Sequence, residues 1–62
     1  MERYLVTSAA DAAGKVSVRR VSDGKVGRCK LSWLEQANET EWVARSKTKA
    51  IRMDGLEWKT EG

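Results

Sequence analysis

The chain has 62 residues, a formal net charge of +3, 40% hydrophobic and 34% charged residues. This length accommodates one hydrophobic core, so we expect residues 1–62 to form a single domain, and the composition excludes a disordered tail. One cysteine and no histidine exclude an internal disulfide and the usual zinc ligand sets.

The first predicted element is a short strand at residues 4–7, where the sequence Tyr-Leu-Val-Thr is rich in β-forming residues. The small residues that follow, 8–14, fit two alternatives. They form either one helical turn that Gly14 closes or an irregular loop. Both alternatives lead into a second strand.

A β-hairpin is predicted around Asp23–Gly24, because this dipeptide supplies the positive φ angles of a tight turn. The predicted register pairs Val18 with Cys29 and Arg19 with Arg28. It also pairs Val21 with Val26 and Val16 with Leu31, and it gives an apolar face that contains Val16, Val18, Cys29 and Leu31. Two arginines directly across from each other cost stability, so this register places a like-charge pair on the opposite face.

A helix is predicted over residues 33–46, because glycine and proline are absent from residues 28–53. Ser32 and Glu35 have the spacing of a capping box, which marks a helix start. In this helix Trp42 lies opposite the apolar stripe and is exposed. An alternative interpretation makes residues 41–46 a strand.

That alternative buries Trp42 or Val43 and gives an all-β small barrel.

A second hairpin is predicted around Asp54–Gly55, over residues 50–59, with Trp58 largely buried against Ile51 and Met53. With the helix near 33–46, the element order is β-β-β-α-β-β. The predicted fold class is therefore α+β, a small and mainly antiparallel β domain.

Catalytic chemistry has little support in this sequence. Histidine is absent, and no serine or cysteine lies in a recognisable nucleophile motif, so the base-activated nucleophiles of common enzymes cannot be assembled. We expect no enzymatic activity, no cofactor and no metal site.

Positive charge is concentrated in residues 15–30, which contain six cations and one carboxylate. The cations are Lys15, Arg19, Arg20, Lys25, Arg28 and Lys30. A phosphate backbone would relieve the repulsion between Arg19 and Arg28 and release counterions on binding. The first hypothesis is therefore a small nucleic-acid-binding or accessory regulatory module that uses this basic hairpin face.

Two other hypotheses differ in the partner. The second is a protein-interaction module, such as a small phage-type or plasmid-type modulator of a host protein, which docks through the acidic helix with Glu39 and Trp42. The third is a structural or oligomer-forming subunit, because a core of this size supplies only roughly 3–5 kcal/mol and self-association would add to it. No apolar run of membrane-spanning length and no signal peptide is recognisable, so we expect a cytoplasmic protein without membrane contact.

Overall fold

The computed structural model describes residues 1–61, in which five antiparallel strands form one open sheet beside one α-helix. The strands are β1 (Tyr4–Val6), β2 (Lys15–Arg20), β3 (Val26–Lys30), β4 (Leu34–Gln36) and β5 (Trp42–Ala44). A 3₁₀ turn (Leu31–Trp33) joins β3 to β4, and α1 (Lys47–Asp54) follows β5. The α+β class is confirmed, whereas the alternative of a closed barrel is wrong.

The strands lie in the order β3-β2-β1-β5-β4, so β3 and β4 form the two edges of the sheet. These two edges are consecutive in the chain, and the 3₁₀ turn connects them directly. Backbone hydrogen bonds hold this turn at both ends. The amide of Leu31 donates to the carbonyl of Gly14, and the amide of Arg45 donates to the carbonyl of Trp33. The 3₁₀ turn is therefore a fixed point between the two edges.

The core contains six side chains that are almost completely buried, namely Tyr4, Val16, Val18, Cys29, Leu34 and Met53. Val16, Val18 and Cys29 come from the predicted apolar face of the first hairpin, so the assignment of that face is confirmed. Burial raises the pKa of the Cys29 thiol to about 11. Cys29 therefore stays protonated at neutral pH and acts as a small apolar core residue.

The register of the first hairpin differs from the predicted one by two residues. Val16 pairs with Cys29, Ser17 with Arg28 and Arg19 with Val26. The expected pairing of Arg19 with Arg28 is thus wrong. A shift by two residues leaves each side chain on the same face of the sheet. The apolar face was therefore predicted correctly although the register was not.

The cause of this shift is a longer turn. Strand pairing ends at Arg20, whose amide donates to the Lys25 carbonyl, and the Gly24 amide donates back to the Arg20 carbonyl. Gly24 has φ +73°, as the turn chemistry requires. Val21 lies in this turn and is 45% exposed, so it belongs to neither strand.

Residues 33–46 do not form the predicted helix. The segment instead completes the 3₁₀ turn and then forms the β4–β5 hairpin, in which Leu34 pairs with Ala44 and Gln36 with Trp42. The side chain of Asn38 accepts hydrogen bonds from the amides of Thr40 and Glu41, which closes a local turn that competes with a helix. The alternative strand assignment is correct for residues 42–44.

The predicted 50–59 hairpin is also wrong, because its first half belongs to α1. The Ser46 side chain accepts a hydrogen bond from the Lys49 amide and caps this helix. At the other end Gly55 has φ −83° and ψ −1°, so it does not form the expected hairpin turn. Met53 is buried in α1, but Ile51 is 72% exposed.

Trp58 is half-buried, and its neighbours include the predicted Met53 but also Tyr4 and Arg20, which were not predicted. Its ring stacks on Tyr4 with centroids 5.8 Å apart, and its Nε1 donates to the Met53 carbonyl over 2.9 Å. A Cβ atom on Gly27 would lie 3.1 Å from the ring, so glycine permits this close approach. The next residue, Lys59, forms a β-bridge with Val26 and extends the β3 edge.

Candidate functional site

The three arginines of the first hairpin all form ion pairs with carboxylates. The pairs are Arg19 with Glu61, Arg20 with Asp23, and Arg28 with Asp11. These contacts neutralise half of the six cations that the sequence indicated for nucleic-acid binding. The predicted hairpin face therefore carries less uncompensated positive charge than its residue composition suggests.

Arg20 has a structural role. Its guanidinium contacts Asp23 through two hydrogen bonds of 3.1 and 2.6 Å and lies 4.5 Å from the centroid of the Trp58 ring. The hydrogen bond from Arg20, followed by one from the Lys25 amide, lowers the pKa of Asp23 to about 2. The carboxylate thus stays ionised at neutral pH, and Arg20 links the hairpin turn to the C-terminal segment.

Asp11 organises the loop before β2. One of its carboxylate oxygens accepts hydrogen bonds from the amides of Ala13 and Lys15, and the other lies 2.6 Å from Nη2 of Arg28. The amide of Lys15 is the main reason that the pKa of Asp11 is lowered. Residues 8–14 thus form a loop, in which Gly14 has φ +77°.

The lysines of the hairpin are placed differently from its arginines. Lys15 and Lys30 are exposed and lie directly opposite each other in the β2–β3 register. Neither forms an ion pair with a carboxylate of residues 1–61. The predicted like-charge pair of Arg19 and Arg28 is wrong, but the observed register places a different like-charge pair, Lys15 and Lys30, across the two strands. Lys25 lies apart from them at the hairpin tip.

Three further cations surround the 3₁₀ turn. The Lys49 ammonium and the Arg52 guanidinium, both from α1, each lie 5.7 Å from the centroid of the Trp33 ring. Arg45 follows β5, and its Nη2 donates to the Leu34 carbonyl over 3.0 Å. Within residues 1–61, none of the three cations is ion-paired.

Together these residues form one basic surface, which we define as Lys15, Lys30, Arg45, Lys49 and Arg52. The 3₁₀ turn connects its parts. Lys30 directly precedes the turn, the backbone of Arg45 is hydrogen-bonded to it, and the ring of Trp33 lies near the two α1 cations. Five cations without a carboxylate partner in residues 1–61 thus come from the strand that leads into the turn, its partner strand β2, the β5–α1 connection and α1.

A groove of about 520 Å³ opens beside this turn. Its walls are mainly apolar and come from the loop before β2, the 3₁₀ turn, β4 and β5: Ala10, Ala13, Gly14, Leu31, Ser32, Leu34 and Trp42. Lys30 and Arg45 complete the lining. The groove therefore joins an apolar, partly aromatic surface to two members of the basic surface.

The two residues predicted for protein contact do not share a helix face. Glu39 is exposed in the loop between β4 and β5, whereas Trp42 is half-buried in β5 and lines the groove. The expectation that Trp42 is exposed on a helix is wrong because this segment is a strand. Trp42 instead packs against the core as well as lining the groove.

The sequence patterns did not indicate Arg45, Lys49 and Arg52 as site residues. The signal that could have identified them is Ser46, which is followed by a run without glycine or proline up to Asp54. A helix start at Ser46 would have placed Lys49 and Arg52 three residues apart on one helix face. The capping-box spacing at Ser32 instead favoured a helix over residues 33–46, which is the wrong segment.

In the described part of the chain, no group of three or more acidic, cysteine or histidine side chains is arranged to hold a metal ion. Residues 1–61 also contain no helix of the length and apolarity that a membrane span requires. No family model, curated protein or solved structure matches the chain.

Proposed function

We propose that the protein is a small, non-catalytic nucleic-acid-binding module and that it contacts the phosphate backbone through the basic surface. This proposal keeps the function class that the sequence suggested but moves the contact region. The new region shares Lys15 and Lys30 with the predicted hairpin face. It adds Arg45, Lys49 and Arg52, and it leaves out the paired arginines and Lys25.

The observation that carries the proposal is the grouping of five cations without a carboxylate partner in residues 1–61 around the 3₁₀ turn. Phosphate oxygens would supply the missing negative charge, and binding would release counterions. The pairing of Lys15 with Lys30 adds to this argument, since like charges across a strand pair destabilise the free protein. A polyanion offsets that repulsion.

A salt titration tests the proposal. The affinity of the protein for a labelled 12-nucleotide single strand and for a duplex of that length is measured by fluorescence anisotropy at several salt concentrations. Five phosphate contacts predict log–log slopes of about −3.5 for the single strand and about −4.5 for the duplex. Absence of binding at low salt, or binding that does not respond to salt, would refute the proposal.

Size-exclusion chromatography with mass determination accompanies this titration. A monomer that gains mass with nucleic acid at low salt, and loses it at moderate salt, supports backbone binding. A dimer that persists in moderate salt without nucleic acid favours an oligomer-forming subunit, because the β4 edge of the sheet can pair with another chain.

A further inference from the structure

We infer that the groove beside the 3₁₀ turn receives one unstacked base of a single-stranded nucleic acid, while Lys30 and Arg45 hold the adjoining phosphates. This inference rests on the proposed function and specifies its ligand. It assigns the backbone contacts to the basic surface and the preference for single strands to the groove.

The first argument is the shape and chemistry of the groove. Its volume of about 520 Å³ falls within the roughly 300–1,000 Å³ that is usual for small-ligand sites. Small residues from the loop before β2 form one wall, and Leu31, Leu34 and Trp42 supply a larger apolar surface. A planar, mainly apolar group of nucleobase size fits such a site.

The second argument is charge. Among residues 1–61, the charged side chains that line the groove are both cationic, namely Lys30 and Arg45. One Nη atom of Arg45 is held by the Leu34 carbonyl, which fixes the guanidinium while leaving most of its five N–H donors available. The apolar group in the groove is therefore expected to be attached to anionic groups, as a base is to its phosphates.

The third argument is the aromatic side chain. Trp42 is anchored in β5 between two strands, with Tyr4 of β1 on one side and Gln36 of β4 on the other. A fixed, partly exposed indole is a stacking surface for an unpaired base. Bases inside a duplex are already stacked on their neighbours, so they cannot use this surface. Single strands should therefore bind more tightly than duplexes.

Groove-filling variants test this inference without removing any cation. Ala10→Phe and Ala13→Phe each place a large side chain into the groove, since both alanines line it. Ala12→Phe is the matched control, because Ala12 is exposed in the same loop but does not line the groove. Circular dichroism first establishes that each variant is folded. The probes are a 12-nucleotide oligothymidylate and a blunt 12-base-pair duplex.

We expect the wild-type protein to bind the oligothymidylate about tenfold more tightly than the duplex, the size of one base–aromatic stack. Filling the groove should abolish this preference, whereas duplex affinity and the Ala12→Phe variant should stay unchanged. Equal affinities of wild-type protein for both probes, or an intact preference in both folded groove-filling variants, would overturn the inference and leave backbone binding standing.

Two further outcomes would also decide against the inference. If the wild-type protein binds neither probe at low salt, both the groove assignment and the proposed function fail. An acidic peptide with one leucine or tryptophan serves as the remaining probe. Its binding to wild-type protein but not to Ala10→Phe, in the absence of oligothymidylate binding, would assign the groove to a protein ligand.

Discussion

Two basic regions of this molecule differ in how their charge is neutralised. On the β2–β3 hairpin, the arginines meet carboxylates from the preceding loop, the hairpin turn and the C-terminal segment. On the basic surface around the 3₁₀ turn, the five cations meet no carboxylate of residues 1–61. Of the six cations concentrated in residues 15–30, the three arginines are ion-paired, whereas Lys15 and Lys30 belong to the basic surface. The other three members of that surface come from residues 45–52.

The difference has a topological cause. Asp11 and Glu61 lie outside the hairpin in sequence, but a loop and a β-bridge bring them to its arginines. The β4–β5 hairpin has exposed carboxylates at Glu35 in β4 and Glu39 in the loop, and neither is ion-paired within residues 1–61, while the end of the hairpin at Arg45 reaches the 3₁₀ turn. Which cations are paired with carboxylates therefore depends on the fold and not on the order of charges along the sequence.

The largest expected effect follows from removing the contacts that hold the C-terminal segment against the β2–β3 hairpin. Trp58→Ala removes the stack on Tyr4, the hydrogen bond to Met53 and the contact with Arg20. We expect the free energy of unfolding, measured by urea denaturation, to fall by about 2–4 kcal/mol. Ile51→Ala is the control and should change it by less than about 0.5 kcal/mol, since Ile51 is exposed. Equal effects of the two substitutions would contradict the assignment of α1.

A substitution with a smaller expected effect should leave one hairpin arginine without an ion-pair partner, like the cations of the basic surface. Asp11→Asn keeps a side-chain oxygen for the amides of Ala13 and Lys15 but removes the charge opposite Arg28. Loss of one negative charge near the surface should raise the affinity for a single-stranded oligonucleotide about twofold to threefold at low salt. Glu39→Gln, in the β4–β5 loop, serves as the charge-matched control and should leave this affinity unchanged. A weaker affinity for Asp11→Asn would contradict the claim that the carboxylate of Asp11 compensates the charge of Arg28.

The smallest expected effect concerns the pH dependence of stability. The pKa of Asp23 is lowered to about 2 from its ordinary value of 3.8, mainly by the hydrogen bond from Arg20. A lowered pKa in the folded state stabilises the protein above pH 4, and this contribution is lost as the pH falls toward 2. Asp23→Asn should therefore show a slightly smaller loss of thermal stability between pH 4 and pH 2 than the wild-type protein. An identical loss in both would argue against the Arg20–Asp23 pair.

The faces of the first hairpin were predicted correctly because they follow from local alternation, whereas the α+β class was predicted with its helix in the wrong segment. Val16, Val18 and Cys29 remain on one face under any register shift by an even number of residues. The register itself depends on the length of the turn, which the dipeptide Asp23–Gly24 does not determine.

The second half of the chain could not be predicted from the same signals. Asp-Gly forms part of a hairpin turn at residues 23–24, but at residues 54–55 it ends a helix, where Gly55 has a negative φ. Ser32 and Ser46 both precede helix-compatible sequence. After Ser32 the local turn at Asn38 competes with a helix, whereas the helix after Ser46 buries Met53 in the core. The basic surface was missed for this reason, because it depends on where α1 begins.

The most direct test of the central claim is a pair of charge-matched double variants in the salt titration with a single strand. Lys30→Gln with Lys49→Gln removes two cations from the basic surface, whereas Lys25→Gln with Lys59→Gln removes two cations outside it. The first pair should lower the affinity about tenfold at low salt and reduce the magnitude of the slope by about 1.4, as expected for two lost phosphate contacts. The second pair should keep the wild-type slope. Equal losses in both double variants would mean that net charge alone governs binding, and would contradict a basic surface around the 3₁₀ turn.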